Sequence, residues 1–188
     1  MSFICAQNIL SDSVLTQLHE LCLIKDTDQS SYDIWPDEVT GNKTLVETFS
    51  EQINHKHGSL KKILQNDLYE RPSSPLHKSK LVLHTDFAIL KYPPGSSCPY
   101  HYDTAQCAMT LFLNQQWEPN WGGGFVYFDD AGVEHTIPVQ YNSAAYTFYD
   151  ELTTGPKHGA EQVSGPETRY VLQVFARKKS NIDTLVKF

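Results

Sequence analysis

The chain has 188 residues, 40% of them hydrophobic and 20% charged, which is enough to build one buried core in a single domain. Its net charge of −7 and pI near 5.5 argue against a protein that coats nucleic acid or an anionic membrane by charge alone, although a local basic groove stays open. No apolar run reaches the length of roughly 20 residues that a membrane span needs.

The N-terminal stretch Met1-Ser2-Phe3-Ile4-Cys5-Ala6-Gln7-Asn8 has no basic segment followed by an apolar one. It therefore predicts no signal peptide and a cytoplasmic protein. Cys5, Cys22, Cys98 and Cys107 form neither a CxxC nor a zinc spacing, and read as four reduced thiols.

Two regions differ in periodicity: a helical part, about 1–80, and a β-rich part, about 81–177. Ser11 or Ser13 can cap a helix whose apolar stripe is Val14, Leu18, Leu21 and Cys22. Residues 25–42 are polar around Trp35-Pro36 and read as a long loop. A second helix is expected from Lys43, with Leu45, Phe49 and Ile53 at steps of four, then Leu60, Ile63 and Leu64 beyond Gly58. Residues 70–80 read as another loop.

From Leu81 the runs are short and rich in β-branched and aromatic residues: 81–92, 107–113, 125–128, 135–139, 144–149 and 169–176. Turn signals separate them, among them Pro93-Pro94-Gly95, Gly122-Gly123-Gly124 and Gly165-Pro166. Short strands at this spacing predict an antiparallel sandwich or jelly roll, with the helices packed on one sheet. The triple glycine is not a phosphate loop, because no Lys-Ser/Thr follows it; it reads as a tight turn into Phe125-Val126-Tyr127-Phe128.

Within the β part, His101-Tyr102-Asp103 and His158 have the make-up of a 2-His-1-carboxylate metal site, which leaves coordination positions open for substrate and oxygen. On an extended segment, residues i and i+2 point to one face, so His101 and Asp103 can reach one metal. His84-Thr85-Asp86 has the same pattern, but it sits inside a continuous strand-like run and further from His158. The pair His101/Asp103 is therefore preferred, and His84 reads as a hydrogen-bonded sheet histidine.

His135 and His55 compete with His158. His158 is favoured because it opens a short strand after a Gly-Pro turn, one turn before the strand of Arg169. That connection predicts His158 and Arg169 on the same sheet. Arg169 heads an apolar strand, where a charge needs a partner. The partner is either a ligand carboxylate, held bidentately, or an acidic side chain such as Glu167, Asp150 or Glu161.

These pieces fall in an order that resembles the prolyl-hydroxylase-like Fe(II)/2-oxoglutarate-dependent dioxygenases. They are Leu90-Lys91-Tyr92-Pro93-Pro94-Gly95, His101-Tyr102-Asp103, Leu111-Phe112-Leu113-Asn114, Trp121-Gly122-Gly123-Gly124-Phe125, His158 and Arg169-Tyr170, and the resemblance covers about residues 81 to 177. It implies a double-stranded β-helix core, with Fe(II) held by His101, Asp103 and His158. It implies that 2-oxoglutarate chelates the iron while Arg169 grips its distal carboxylate, assisted by Tyr92 or, failing that, Tyr100. O2 is the other co-substrate, and ascorbate can serve as reductant.

Some relatives carry a tyrosine where this chain has Phe112, so that hydrogen bond must be absent or come from another group such as Thr110. The reaction implied couples decarboxylation of 2-oxoglutarate to succinate with hydroxylation of an unactivated carbon. The substrate is a prolyl-type protein or peptide, or alternatively a free amino acid or other small molecule. Tyr100, Tyr102, Trp117, Trp121 and Tyr127 are candidates to line the cleft.

Several alternatives are disfavoured. Asp103 argues against the halogenating relatives, which need that coordination position for chloride. Nucleic-acid demethylases carry a second arginine six positions past the first, where this chain has Phe175. A cupin-like enzyme without 2-oxoglutarate would leave Arg169 unexplained. A non-catalytic jelly-roll binding module would have lost a ligand, and none is lost.

Overall fold

The computed structural model describes the backbone of residues 3–23, 31–36, 43–48, 58–77 and 83–178, with side chains for 3–22, 60–77 and 85–178. Its strands are β1 (Ile4–Gln7), β2 (Ser31–Pro36), β3 (Lys43–Thr48), β4 (Leu83–Tyr92), β5 (Cys98–His101), β6 (Thr104–Phe112), β7 (Phe125–Phe128), β8 (Glu134–Ile137), β9 (Ser143–Thr154), β10 (His158–Ala160) and β11 (Arg169–Lys178). Its helices are α1 (Asp12–Leu23) and α2 (Gly58–Glu70). The strands form a seven-stranded sheet in the order β1-β9-β6-β11-β4-β3-β2 and a four-stranded sheet in the order β5-β10-β7-β8. Every pairing is antiparallel. The result is the jelly roll expected from the sequence.

Strand alternation sorts the larger sheet into two faces. Phe87, Ile89, Cys107, Met109, Leu111, Leu172 and Val174 point outward and pack with Val14, Leu18, Leu60, Leu64 and Leu68 of the helices. Leu90, Tyr92, Phe112, Ala145 and Val171 point inward and pack with Phe125, Ile137 and Ala160 of the smaller sheet. Helix α1 starts where the sequence places it. The Ser11 carbonyl accepts Leu15 N at 2.9 Å, and Asp12 sits in the first turn, where its charge suits the helix dipole. The tie between the helices is the Ser11 amide, which donates to Asp67 Oδ2 of α2 at 2.7 Å.

The first third of the chain departs from the expected pattern. The expected second helix does not begin at Lys43, because Lys43–Thr48 is strand β3. Its Thr-Leu-Val-Glu-Thr run is rich in β-branched residues, and it finds partners on both sides, in β2 and in β4. Sheet pairing overrode a fortuitous i, i+4 spacing, of which Phe49 and Ile53 lie outside the described residues. The polar stretch 25–42 likewise contains β2, whose Pro36 is tolerated because β2 is the sheet edge.

Helix α2 runs Gly58–Glu70, and its buried stripe is Leu60, Leu64 and Leu68, while Ile63 is 38% exposed. The expected loop 70–80 forms turns over 72–77 and buries Leu76. Among the described residues no helix is long and apolar enough to cross a membrane.

Leu64 is fully buried between α2 and the larger sheet. Leu64→Ala should cost about 2–5 kcal/mol in urea unfolding. Ile63→Ala, on the exposed side of the same turn, should stay within about 0.5 kcal/mol. Equal losses would mean that α2 packs with another face.

Candidate metal centre and co-substrate pocket

The antiparallel register sets His158 of β10 directly opposite His101 of β5. The two rings stand 4.4 Å apart between centroids. Asp103 follows β5, and its backbone is pinned by the Gly155 amide, which donates to its carbonyl at 2.8 Å. One ligand atom from each of His101, Asp103 and His158 lies within 4.8 Å of the others, the one such group of metal-binding side chains among the described residues.

Each histidine is aimed by the same device. His101 Nδ1 lies 2.8 Å from the Pro99 carbonyl and His158 Nδ1 lies 2.9 Å from the Pro156 carbonyl. A carbonyl only accepts, so both Nδ1 atoms carry the proton and both Nε2 atoms present a lone pair inward. His158 Nε2 then faces Asp103 Oδ2 at 3.1 Å, and His101 Nε2 faces Asp103 Oδ1 at 3.8 Å. Two electron pairs brought this close require a proton or a metal cation between them. The donor set and its orientation thus fit a metal ion.

Burial holds the His101 pKa below its ordinary value of 6.5, helped by neighbouring His158 and opposed by the Pro99 carbonyl and Asp103. The ring is therefore neutral, as a ligand must be. Phe125 stacks on the His158 ring at 5.3 Å and Phe3 meets it edge-on at 5.1 Å, so the imidazole is walled by aromatics.

Arg169 does not share a sheet with His158, contrary to expectation. β10 belongs to the smaller sheet and β11 to the larger, so the intervening turn crosses between layers. Arg169 reaches the metal side chains across the interior. One small pocket, open to solvent, is lined by Tyr92, Cys98, His101, Thr110, Phe125, His158, Arg169 and Gln173, with Gly159 and Ala160. Arg169 is 1% exposed, and its guanidinium carbon lies 4.7 Å from the Tyr92 ring centroid and 5.3 Å from that of Phe112.

Its Nε and Nη1 are buried without a hydrogen-bond partner among the described residues. The acidic candidates do not supply one. None of them bonds to either atom, and Glu161, whose Oε2 accepts from the Gly124 amide at 3.0 Å, acts on the guanidinium only electrostatically. A buried guanidinium with N–H groups left without partners beside a pocket fits a carboxylate ligand. Gly123, with φ of +73°, makes room for it: a Cβ there would sit 3.0 Å from Arg169 Cδ.

Tyr92 is paired with Arg169 across the β4–β11 ladder and is 3% exposed. Burial raises its phenol pKa well above the usual 10.0, so it stays a neutral donor. Tyr100 is 46% exposed, donates to Glu134 at 2.9 Å and does not line the pocket. Thr110 lies on the inner face, opposite Gln173. The backbone of His84 pairs with Arg177 at the far end of β4, and its side chain, like His55, lies outside the described residues. His135 is committed to Asp129 at 2.8 Å on an outer hairpin.

Of the aromatics offered for the cleft, none lines the pocket. Tyr102 is 61% exposed, Trp117 packs in the inner core, Trp121 meets Trp117 edge-on, and Tyr127 stacks on His135. Cys98, Phe125 and Gln173 line it instead. Two signals were available for the missed parts: Pro-x-His occurs before both ligand histidines, and Gln173 shares strand parity with Arg169.

A sequence profile described as the 2OG-Fe(II) oxygenase superfamily matches residues 75–177. No curated protein sequence matches the chain. Among solved structures, a Pseudomonas putida prolyl-4-hydroxylase superposes with a TM-score of 0.61 at 18% identity, over 95% of this chain and 93% of that one. A Trichoplax adhaerens prolyl hydroxylase, in complex with a hypoxia inducible factor peptide fragment, gives a TM-score of 0.65 at 14% identity, over 97% and 86%. A non-haem α-ketoglutarate-dependent epimerase from nogalamycin biosynthesis gives 0.65 at 11% identity, over 94% and 78%. With more than half its length matched and the fold and pocket in agreement, the chain belongs to the 2OG-Fe(II) oxygenase superfamily, whose dioxygenases use Fe(II), 2-oxoglutarate and O2.

Proposed function

We propose that this chain is a hydroxylase that inserts oxygen at an unactivated carbon of a protein or peptide substrate of prolyl type. The observation that carries the reading is the convergence, in one pocket, of a His/His/Asp set from one side and, from the other, a fully buried guanidinium whose Nε and Nη1 have no hydrogen-bond partner among the described residues. When bound, Fe(II) with 2-oxoglutarate and O2 supplies the oxidising chemistry.

The chain's own groups do the positioning. His101, Asp103 and His158 hold the metal, with Pro99 and Pro156 fixing both imidazoles. Arg169 grips the distal carboxylate of the co-substrate in two-point geometry. Tyr92 supports that grip as a neutral donor, and Thr110 stands in for the hydroxyl that Phe112 lacks. Leu90, Phe112 and Val171 form the apolar core behind the pocket.

The peptide reading rests on the rim. His101 is half-buried, and Tyr100 and Tyr102 flank it at 46% and 61% exposure, an open border on which a chain segment can lie. The similarly folded prolyl hydroxylase bound to a peptide fragment supports it. A free amino acid or other small molecule is the second reading, supported by the equally similar epimerase. Succinate release, screened over proline-containing peptides and free amino acids, decides between them. Turnover on amino acids alone would end the peptide reading.

His101→Ala should abolish tight Fe(II) binding by calorimetry, a loss beyond the roughly 10–100-fold cost of removing an outer-shell partner. His135→Ala should bind iron normally. If the two variants behave alike, the ligand set is wrong. Because the His101 pKa lies below 6.5, iron loading should persist as pH falls through 6.5 and fail only below it.

Arg169→Lys should keep iron but weaken 2-oxoglutarate roughly 10- to 100-fold, since one charge-assisted bond is worth about 1.5–3 kcal/mol. The readout is the visible charge-transfer band of the anaerobic complex. Unchanged affinity would remove Arg169 from the co-substrate site.

A further inference from the structure

Arg169, Val171, Gln173, Phe175 and Arg177 alternate along β11 onto the inner face of the larger sheet. Exposure rises along this row. Arg169 is 1% and Val171 0% exposed, Gln173 and Phe175 are half-buried, and the Arg177 side chain reaches 23%. The same gradient runs along β4, where Tyr92 and Leu90 are buried, Ala88 is half-buried and the Asp86 side chain is 45% exposed. The buried end of the row is Arg169, and the mouth lies on the Gln173 side.

Gln173 lines the same pocket as His101 and His158. Its neighbours across the ladder, Ala88 on β4 and Thr110 on β6, are both small, so its amide stands clear of the sheet. It makes no side-chain hydrogen bond among the described residues. The function proposed above gives work to Tyr92, Thr110, Arg169 and both histidines, and leaves this amide with none.

Position and charge say what the amide meets. Four residues of strand, about 13 Å, carry Gln173 from Arg169 towards the mouth. What enters from that side, over the metal side chains, is the substrate. A carboxamide is neutral and offers both a donor and an acceptor, so it can satisfy a neutral carbonyl or amide N–H. It cannot compensate a carboxylate or ammonium taken out of water, which needs an opposite charge. The one arginine of the pocket wall is committed to the co-substrate. Arg177, nearer the mouth, faces Asp86 Oδ2 at 3.7 Å and donates from Nε to the Thr104 carbonyl at 3.3 Å.

We infer that Gln173 reads the amide next to the carbon to be hydroxylated, its Nε2 donating to the substrate carbonyl. The substrate residue is then amide-linked, as within a peptide, and a free amino acid is disfavoured by its charges. The inference rests on the function proposed above and narrows its substrate class.

The test follows binding, not turnover. Mn(II) takes the place of Fe(II) in the full chain with 2-oxoglutarate present, since nitrogen and carboxylate ligands accept both ions. The probes are N-acetylproline N-methylamide and N-acetylproline, which differ only in amide against carboxylate, and the same pair built on alanine. Paramagnetic relaxation of their acetyl protons gives each Kd. The amide should bind roughly 3- to 10-fold tighter than its acid, the worth of one hydrogen bond. Gln173→Leu should weaken the amide probes by the same factor and leave 2-oxoglutarate affinity, read from the charge-transfer band of the Fe(II) complex, unchanged. Gln173→Glu keeps the shape and removes the donor, so it should also weaken the amide probes, and it serves if the leucine variant folds poorly.

Amide and acid binding alike in both pairs would overturn the proposal, as would no relaxation of any probe, or amide affinity unchanged in either variant. A charge-transfer band weakened by Gln173→Leu would overturn it too, because the amide would then serve the co-substrate. An equally strong amide in the alanine pair supports the role of Gln173 and removes the prolyl ring from the function reading. No charge-transfer band in the unaltered chain would overturn the function reading itself.

Discussion

Everything the pocket can do depends on one point of strand register, the pairing of His158 with His101 across β5 and β10. A slip of one residue would turn one imidazole to the opposite face of the smaller sheet and dissolve the cluster. The register is defended locally. Gly159, next to His158, lies so close to β5 that a Cβ there would fall 2.7 Å from the Cys98 carbonyl. On its other side β10 pairs with β7, His158 opposite Tyr127 and Ala160 opposite Phe125. A three-residue strand is thus held from both edges, with proline carbonyls behind both rings.

The larger sheet contributes the opposite kind of constraint. Burying a guanidinium without a hydrogen-bonded carboxylate costs several kcal/mol, and Glu161 acts on Arg169 only electrostatically. The rings of Tyr92 and Phe112 offset part of that, since a desolvated cation–π contact is worth about 2 kcal/mol. Phe112 therefore does more than mark a missing tyrosine: its ring supports the cation. In the proposed reading, the departure from the family pattern exchanges a hydrogen bond to the co-substrate for a contact to the guanidinium that would bind it.

The β core was largely legible because its signals are local. Alternating apolar residues and Gly/Pro turns mark β4, β6, β7 and β11 to within a few residues, and the ligand residues stand out by chemistry. What stayed hidden was set by partners distant in sequence. β1 at Ile4–Gln7 is strand because β9 lies beside it, and Lys43–Thr48 is strand because β2 and β4 accept it. The four residues of β5, with two cysteine- and proline-led positions, carry no periodicity of their own, yet they deliver His101. The same blindness explains the misplaced Arg169. A short turn between two strands says nothing about whether the chain stays in its sheet or crosses to the other.

That crossing matters for how stability and activity are coupled. The metal side chains belong to the smaller sheet or the segment leaving it, and the guanidinium, Tyr92 and Thr110 to the larger one. In the proposed reading the co-substrate touches both, with one end at the metal and the other at Arg169. Its binding then clamps the layers together, and by linkage the folded state gains RT ln(1 + [L]/Kd), about 2.7 kcal/mol at a hundredfold excess over Kd. A change that merely loosens the packing of Phe125 and Ile137 against Leu90 and Val171 separates the two halves of the site without touching either. Iron affinity depends on the first half alone, and co-substrate affinity on the distance between the halves. The inner core between the sheets is in that sense part of the binding site.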